Sequence, residues 1–170
     1  MRRGIFETER IYFSHWQEKD SELAVSLWGN QRVVQYITRE GMSEAQIKER
    51  LAKEMENQKA YGYQYWPIFL KRNEAFIGCA GLRPYAKEDN AAEIGVHLKE
   101  EFWGQGFAEE ALREVIQQAA SFFMLNQVFA GHHPANTGSK KLLNKLGFVF
   151  EKTEFYEPTG LCHPLYFLNL

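Results

Sequence analysis

Apolar residues recur at two different spacings along this chain, and the alternation of the two predicts its helices and strands. A spacing of three and four residues predicts helices at residues 21–28, 31–37, 108–123 and 138–146. A further helix begins at Ser43, which forms a capping box with Gln46 and precedes an apolar stripe of Ile47, Leu51 and Met55. Strands are predicted at residues 10–16, 61–70, 75–82, 92–98, 127–131, 150–156 and 165–168.

The order of these elements predicts the fold class. The early strands would pair locally, as in the hairpin around Arg72 and Asn73, whereas the later strands alternate with helices. A polar turn at residues 87–90 leads into the strand at residues 92–98. This order predicts an α/β (α+β) protein with a mixed central sheet and helices on both faces. No repeat or long linker divides the 170 residues, so a single domain at residues 1–170 is expected.

Two glycines, Gly104 and Gly106, lie where the strand at residues 92–98 gives way to the helix at residues 108–123. The first N–H groups of a helix have no partner within it, and the helix dipole places partial positive charge at the same end. Glycine also lets a ligand approach the backbone closely. The junction predicts a site for a phosphorylated cofactor, although two glycines that merely begin a helix explain the pattern equally well.

The residues around these glycines do not match two common phosphate loops. A Rossmann loop would have a third glycine where Glu109 stands, and that carboxylate would face the pyrophosphate. No acidic residue ends a second strand about 20 residues later, as ribose recognition would require. The G-x-x-x-x-G-K-S/T sequence of a P-loop is absent.

A second informative segment covers residues 136–148, about one helix and one strand after the glycines. Three leucines share one face of a short helix, Lys145 lies in its last turn, and Gly147 is placed to cap its end. By itself, this segment is a well-capped amphipathic helix. Together, the two segments resemble the GNAT superfamily of acetyl-CoA-dependent N-acyltransferases.

The resemblance depends on two family motifs. The pyrophosphate loop Q/R-x-x-G-x-G/A is matched from Trp103 to Ala108 except at its first position. The motif of the later helix is matched at Asn136, Ser139, Lys145, Gly147 and Phe148. Residues 92–96 and 102–112 are similar to the RimJ/RimL-type N-acetyltransferases, in which tryptophan commonly replaces the first Arg or Gln of the loop. With looser similarity at residues 8–13 and 30–37, the resemblance covers nearly the whole chain.

The resemblance implies a GNAT fold in which the strand at residues 93–98 splays from the strand at residues 127–131. The splayed pair would hold acetyl-CoA as the acyl-donor co-substrate. The pantetheine arm would bond to the backbone of Val96 and Leu98, whose amides could also serve as oxyanion donors. The pyrophosphate would be bound by the N–H groups of Gly104, Gln105, Gly106, Phe107 and Ala108.

The later helix is implied to supply further ligand contacts and the catalytic acid. Asn136 would bond to the pantetheine arm, although an Asn here can also cap the helix. Many family members have a tyrosine seven residues later that protonates the departing thiolate, but here that position is Leu143. Ser139 is therefore the implied acid, with a purely structural bond as the alternative. Three lysines would assist at the 3′-phosphate or simply form a solvated face: Lys140, Lys141 and Lys145.

Glu93 is the expected general base, because it lies on the cofactor strand beside the expected thioester. Partial burial raises the pKa of a glutamate, which suits a base acting near neutrality, directly or through water. The structural alternative is a salt bridge to an arginine such as Arg83. His97 is a second candidate for the base, because histidine titrates near neutral pH and four residues along a strand return to the same face.

The aromatic residues crowded at positions 61–69 have two compatible interpretations. The segment contains Tyr61, Tyr63, Tyr65, Trp66 and Phe69. Packing of a strand on the core is favoured over a wall of a binding site. Because a strand has two faces, one face can pack while the other lines a site for the acceptor amine.

Composition narrows the range of functions. The net charge of −2 at pH 7 argues against nucleic-acid binding, and no apolar run is long enough to span a membrane. Cys79 and Cys162 have neither metal nor redox spacing, and His132 and His133 have no third ligand nearby, so no metal is expected. Without a signal-peptide core, a reducing cytoplasm is the expected location.

The sequence therefore predicts an N-acetyltransferase that transfers the acetyl group of acetyl-CoA to a primary amine, by direct attack in a ternary complex. The acceptor, a protein N-terminus or a small molecule, stays open, and a monomer or homodimer is expected. A GNAT-like module that binds acyl-CoA without catalysis also stays open, because of Leu143 and Trp103. A Rossmann-type oxidoreductase is disfavoured by Glu109.

Overall fold

Eight strands and five helices are present in the computed structural model, which describes residues 2–85 and 90–170. The strands are β1 Phe6–Glu7, β2 Ile11–Phe13, β3 Tyr65–Leu70, β4 Phe76–Pro84, β5 Ala91–Leu98, β6 Gln127–Gly131, β7 Val149–Tyr156 and β8 Leu161–Asn169. The helices are α1 Ser21–Trp28, α2 Gln31–Val34, α3 Glu44–Tyr61, α4 Phe107–Ser121 and α5 Thr137–Lys145. The turn predicted at residues 87–90 lies outside the described residues except for Asn90.

The strands form one sheet in the order β1-β2-β3-β4-β5-β6-β8-β7. Among the described strands, β5 and β6 run parallel, and the other neighbouring pairs are antiparallel. The parallel pair is connected through α4, as a parallel crossover requires. The predicted mixed sheet is therefore confirmed.

Most predicted elements are present, and the differences lie at their ends. The capping box that begins α3 is confirmed, because Ser43 Oγ accepts from the Gln46 N–H at 3.2 Å and Gln46 Oε1 accepts from the Ser43 N–H at 2.8 Å. The helix continues to Tyr61 and ends at Gly62, whose φ is 79°. As a result, β3 begins at Tyr65, later than the strand predicted at residues 61–70.

The two faces of the sheet are covered by different helices. We call the surface under α4 and α5 the α4 face; its core includes Ile68, Ala92, Ile94, Leu112, Val115 and Leu143. We call the surface under α1 and α3 the α3 face; its core includes Leu27, Trp28, Ile47, Leu51, Tyr65 and Cys79. Alternation along β5 places Glu93, Gly95 and His97 on the α3 face, opposite Ile94.

Candidate active site

The carboxyl-terminal half of β5 has an open edge. Pairing with β6 is limited to Ala91 with Gln127, Ala92 with Val128 and Glu93 with Phe129, although β5 continues to Leu98. The Lys99 N–H donates to the Ile77 carbonyl at 2.9 Å, on the β4 side. Because alternate residues of an antiparallel strand bond to the same neighbour, the backbone of Val96 and Leu98 faces the side from which β6 has departed.

A glycine loop follows this open edge and begins α4. Gly104 and Gly106 have φ values of 69° and 82°, and Gly106 is the N-cap of α4. A Cβ on Gly104 would meet no atom within 4 Å. Within the described ranges, the N–H groups of residues 104–109 have no acceptor, and the first hydrogen bond of the helix runs from the Glu110 N–H to the Gly106 carbonyl at 3.1 Å. The loop therefore presents free donors at a helix N-terminus, which suit a phosphate group.

Side chains hold the glycine loop in place from both ends. Arg10 Nη1 donates to the Gln105 carbonyl at 3.0 Å, and its guanidinium lies 4.2 Å from the centre of the Phe107 ring. Trp103 Nε1 donates to the Leu98 carbonyl at 2.9 Å. The tryptophan at the first motif position therefore connects the loop to the open edge of β5.

The beginning of α5 lies beyond the carboxyl end of β6, as the glycine loop lies beyond that of β5. Asn136 is the N-cap of α5, and its Oδ1 accepts from the Ser139 N–H at 3.0 Å. The capping role that the sequence left as an alternative is therefore present. The Asn136 side-chain NH₂ and the Ser139 hydroxyl have no hydrogen-bond partner among residues 2–85 and 90–170, so both remain able to contact a ligand.

The residues around α5 differ in their availability for a ligand. Leu143 is 4% exposed and belongs to the core of the α4 face. Lys145 donates to Glu109 at 2.5 Å, and Arg113 donates to the same carboxylate at 2.9 Å. The hydrogen bond from Lys145, followed by that from Arg113, lowers the pKa of Glu109. Lys145 is thus engaged in an ion pair, whereas Lys140 and Lys141 are exposed.

Glu93 lies where β5 and β6 part, with its side chain on the α3 face. The Tyr65 hydroxyl donates to Glu93 Oε1 at 3.4 Å and lies over Gly95, where a Cβ would overlap it. Burial raises the pKa of Glu93, while the nearby Arg50 charge and the bond from Tyr65 oppose this rise. The predicted direction of the pKa shift is therefore present.

Glu54 of α3 is a second buried carboxylate on this face, at 1% exposure. Its Oε1 accepts from Arg83 Nη2 at 2.6 Å and Nε at 3.2 Å, and its Oε2 accepts from the Tyr65 N–H at 2.8 Å. Burial raises the pKa of Glu54 to about 7, while the nearby Arg50 charge and the hydrogen bond from the Tyr65 N–H oppose this rise. Arg83 was the suggested alternative partner of Glu93, but its guanidinium is engaged by Glu54, and among the described residues Glu93 accepts a hydrogen bond from Tyr65 instead.

His97 shares the α3 face with Glu93, as the strand spacing predicts. The Trp28 indole N–H donates to His97 Nδ1 at 3.2 Å. Burial, followed by the Arg50 charge, lowers the pKa of His97 to about 3. The ring is therefore neutral at pH 7 with its proton on Nε2, so Nδ1 is occupied as an acceptor and Nε2 is a donor. This arrangement argues against His97 as the general base.

Comparison with known proteins identifies the family. Residues 10–149 match the family described as acetyltransferase (GNAT) domain. This chain belongs to the GNAT acetyltransferase family. It is 28% identical over 145 residues to the uncharacterized N-acetyltransferase p20 of Bacillus licheniformis, covering 85% of this chain and 82% of p20. It is 29% identical over 152 residues to the uncharacterized N-acetyltransferase YoaA of Bacillus subtilis (strain 168), covering 86% and 84%.

Solved structures share the fold of this acetyltransferase. A RimL structure, named ribosomal L7/L12 alpha-N-protein acetyltransferase, has a TM-score of 0.83 at 15% identity. The match covers 100% of this chain and 96% of the RimL chain. The ribosomal-protein-S5-alanine acetyltransferase from Vibrio fischeri has a TM-score of 0.79 at 21% identity and covers 96% and 95%. The predicted GNAT fold and the resemblance to RimJ/RimL proteins are confirmed. GNAT proteins are acyltransferases that use acetyl-CoA, and one RimL structure contains coenzyme A.

The aromatic segment of the acetyltransferase is divided between the two faces. Tyr65 is the ring that contacts Glu93, whereas Trp66 stacks on Phe123 at 5.9 Å on the α4 face. Tyr63 also packs on Phe123, at 5.4 Å. The core interpretation is therefore confirmed for Tyr63 and Trp66, which pack on the face opposite Glu93.

Three side chains of the α3 face were not predicted as site residues: Trp28, Arg50 and Glu54. A signal for two of them exists in the sequence, because Arg50 and Glu54 lie three and seven residues after Ile47 on the buried stripe of α3. Charged residues on an apolar stripe are seldom buried without a partner. Their partners come from other elements, which a local pattern does not specify.

Other predicted features have structural roles or lie away from this site. His132 Nδ1 contacts the His133 carbonyl at 2.8 Å, and the Ala135 N–H donates to His133 Nδ1 at 3.0 Å, as in an ordinary loop. No three His, Cys, Asp or Glu side chains among the described residues are grouped to hold a metal ion. No helix in the described part of the chain has the length and apolar character needed to cross a membrane.

Proposed function

We propose that this protein is an N-acetyltransferase that transfers the acetyl group of acetyl-CoA to a primary amine, by direct attack within a ternary complex. The acceptor amine belongs to a small molecule or a protein N-terminus. The observation that carries this proposal is the open edge of β5, which ends in a glycine loop with free N–H groups.

The donors on this edge fit an acyl-CoA molecule. The pantetheine arm would bond to the backbone of Val96 and Leu98, in place of the missing strand pairing, and to the Asn136 side chain. The pyrophosphate would be held by the N–H groups of Gly104, Gln105, Gly106, Phe107 and Ala108. When bound, acetyl-CoA supplies the acetyl group as a thioester, and the amide N–H groups of β5 would stabilise negative charge on the carbonyl oxygen.

Two side chains would move the protons. Glu93 would accept a proton from the acceptor ammonium, directly or through water, and its raised pKa supports this role near neutral pH. The amine nitrogen then bonds to the acetyl carbon, the C–S bond breaks, and Ser139 would donate its hydroxyl proton to the sulfur. The nitrogen would lose its second proton to solvent, and solvent would restore the Ser139 proton. The free hydroxyl of Ser139 and the buried Leu143 support this assignment.

The test is turnover of acetyl-CoA with a panel of primary amines that includes free amino acids, polyamines and short peptides with free N-termini. Thiol release is followed with a thiol-reactive dye, and the acetylated product is identified by mass spectrometry. We expect thiol release that depends on the amine and matches the product in amount. Tight binding of acetyl-CoA without transfer to any amine would contradict the proposal and favour the acyl-CoA-binding module.

A further inference from the structure

The α3 face contains an arginine whose hydrogen bonds are not completed by the protein. Arg50 Nε and Nη2 are buried without a hydrogen-bond partner, and the side chain is 13% exposed. The nearest carboxylate oxygen, Glu54 Oε1, is 3.9 Å from Nη2, beyond hydrogen-bond length. Unsatisfied buried donors are unfavourable, and more so when the group is charged. The guanidinium therefore has capacity to bind an external acceptor.

Glu54 does not satisfy Arg50, because other donors already hold it. Its Oε1 accepts two bonds from Arg83, and its Oε2 accepts from the Tyr65 N–H. Arg50 is supported instead by Trp28, with its guanidinium carbon 4.7 Å from the centre of the indole ring. The stacking fixes the position of the guanidinium without using its N–H groups.

The same indole fixes a second donor. Because the Trp28 N–H occupies His97 Nδ1 at 3.2 Å, the proton of the neutral ring lies on Nε2. His97 Nε2 has no acceptor within the described part of the chain, and it is not enclosed by protein. Trp28 thus positions two donor groups that have no acceptor among the described residues. Its ring face supports the cationic guanidinium of Arg50, and its N–H orients the neutral ring of His97.

Two such donors call for a planar anion with two oxygens. An amine without a negative charge, such as a polyamine, would leave Arg50 unpaired. Arg83, Glu54 and Glu93 are charged side chains near Arg50, and a ligand with one positive and one negative group adds no net charge to this cluster. A phosphate group would add a second negative charge to a face that already contains two carboxylates.

We propose that the acceptor is a free amino acid, and that Arg50 and His97 bind its carboxylate while Glu93 receives its ammonium group. This substrate class rests on the proposed N-acetyltransferase function. Glu93 and His97 are four residues apart on β5, about 13 Å between their Cα atoms. The Tyr65 phenol lies over Gly95 between these two side chains, so the acceptor has to bridge this ring, and the spacing between its amine and its carboxylate decides which acids are productive.

Open volume adjoins this part of α3. A groove of about 780 Å³ is lined by residues 38–43, Gln46, Glu157 and Pro158. Gln46 is one helical turn before Arg50. The groove lies beside the end of α3 that precedes Arg50, and its lining does not include Arg50, Glu93 or His97.

The kinetic experiment compares acids with their own primary amides, which keep the amine and remove the negative charge. Suitable pairs are phenylalanine with phenylalaninamide, and 4-aminobutanoate with 4-aminobutanamide. Because an amide lowers the pKa of a neighbouring amine, kcat/KM is expressed per free amine. For the wild type, we expect kcat/KM to be at least tenfold higher for each productive acid than for its amide. Arg50→Gln should lower kcat/KM at least tenfold for the acid and less than threefold for the amide.

Matched variants separate a specific effect from a general one. Lys53→Gln removes the same charge from the solvent side of α3, where Lys53 is 67% exposed, and should leave the preference intact. Arg50→Lys should retain part of the preference. Circular dichroism and unchanged acetyl-CoA affinity would show that Arg50→Gln is folded. If kcat/KM of Arg50→Gln falls equally for the acid and for the amide, Arg50 acts through Glu93, and the proposal is overturned.

A binding measurement makes the test independent of turnover. We expect N-acetylphenylalanine to bind wild type at least tenfold more tightly than its amide in calorimetry with CoA present, and this difference to vanish in Arg50→Gln. Equal affinities in wild type would overturn the amino-acid proposal even if other amines are acetylated. Absence of thiol release with every amine, together with the expected binding difference, would overturn the proposed catalysis but support the carboxylate site.

Discussion

The two faces of the sheet build their parts of the site from different chemical groups. On the side of the glycine loop, the donors are backbone N–H groups of residues 104–109 and the open edge of β5. On the α3 face, the proposed site consists of side chains from α1, α3, β3, β4 and β5, which include Arg50, Glu93 and His97. In the proposed mechanism, binding of the cofactor would therefore depend on backbone geometry, whereas proton transfer and choice of acceptor would depend on side-chain chemistry.

This difference predicts how each half responds to substitution. A backbone site tolerates changes of side chain but not changes of backbone conformation, so Trp103 can occupy the usual Arg or Gln position while the glycines remain necessary. A side-chain site loses function through replacement of single groups without a change of fold. The predictions below test this division, beginning with the largest expected effect.

Removal of the proposed base should have the largest effect. Glu93→Gln keeps the shape of the side chain, and we expect kcat/KM at pH 7 to fall roughly 10³-fold. Because burial raises the Glu93 pKa, the wild-type rate should fall as pH decreases through a value above that of an ordinary glutamate. The rate of Glu93→Gln should not show this fall at low pH, and it should recover in part at high pH, where free amine is abundant. The measurement is the pH dependence of kcat/KM for both proteins with one amine.

A control on the same fold makes this profile decisive. Glu56→Gln changes a carboxylate of α3 that is 66% exposed, and should leave the profile unchanged. Profiles of wild type and Glu93→Gln with the same shape and nearly the same height would mean that Glu93 is structural and that solvent deprotonates the amine.

The proposed acid should give the next largest effect. Ser139→Ala should lower kcat roughly 10²-fold, the low end for a general acid, with little change in acetyl-CoA affinity. Ser121→Ala is a matched control, because its hydroxyl bonds to the Gln117 carbonyl at 2.7 Å in α4 and has no proposed role. Retention of turnover within about threefold, when chemistry limits the rate, would assign the proton to water or to the cofactor.

The same division explains what the sequence could predict. The glycine loop, the capped helix at Asn136 and the strand that carries Glu93 are local patterns, and each lies where it was predicted. The partners of the α3 face are distant in sequence: Trp28 and His97 are 69 residues apart, and Glu54 and Arg83 are 29 apart. No local spacing specifies such contacts. The structural alternative for Glu93 was therefore a salt bridge to an arginine such as Arg83, its neighbour across the β4–β5 pair, but Arg83 bonds to Glu54.

A change of backbone in the loop should have a smaller but selective effect. Gly106→Val places a β-branched side chain at a φ of 82°, where its Cβ would lie 3.4 Å from Arg10 Nη2. We expect acetyl-CoA affinity to fall at least tenfold, or about 1.4 kcal/mol, with the fold intact. Calorimetry of the folded variant provides the measurement.

Gly62→Val separates this effect from general backbone strain. Gly62 has a φ of 79° at the end of α3, so both variants should lose stability, by roughly 1–3 kcal/mol. Only Gly106→Val should lose affinity for acetyl-CoA. Unchanged affinity in folded Gly106→Val would remove the loop from the cofactor site.

The smallest kinetic effect is expected where one side-chain contact only sets a tautomer. Trp28→Phe keeps an aromatic ring beneath Arg50 but removes the N–H that donates to His97 Nδ1, a bond worth about 0.5–1.5 kcal/mol. Nitrogen NMR of wild type should show His97 protonated at Nε2 and without a titration between pH 5 and 8, because burial lowers its pKa to about 3. In Trp28→Phe, both tautomers should be populated and kcat/KM should fall only a few-fold. A wild-type His97 that titrates near pH 6.5 would contradict this assignment and restore His97 as a candidate base, because its Nδ1 would then be free to take a proton.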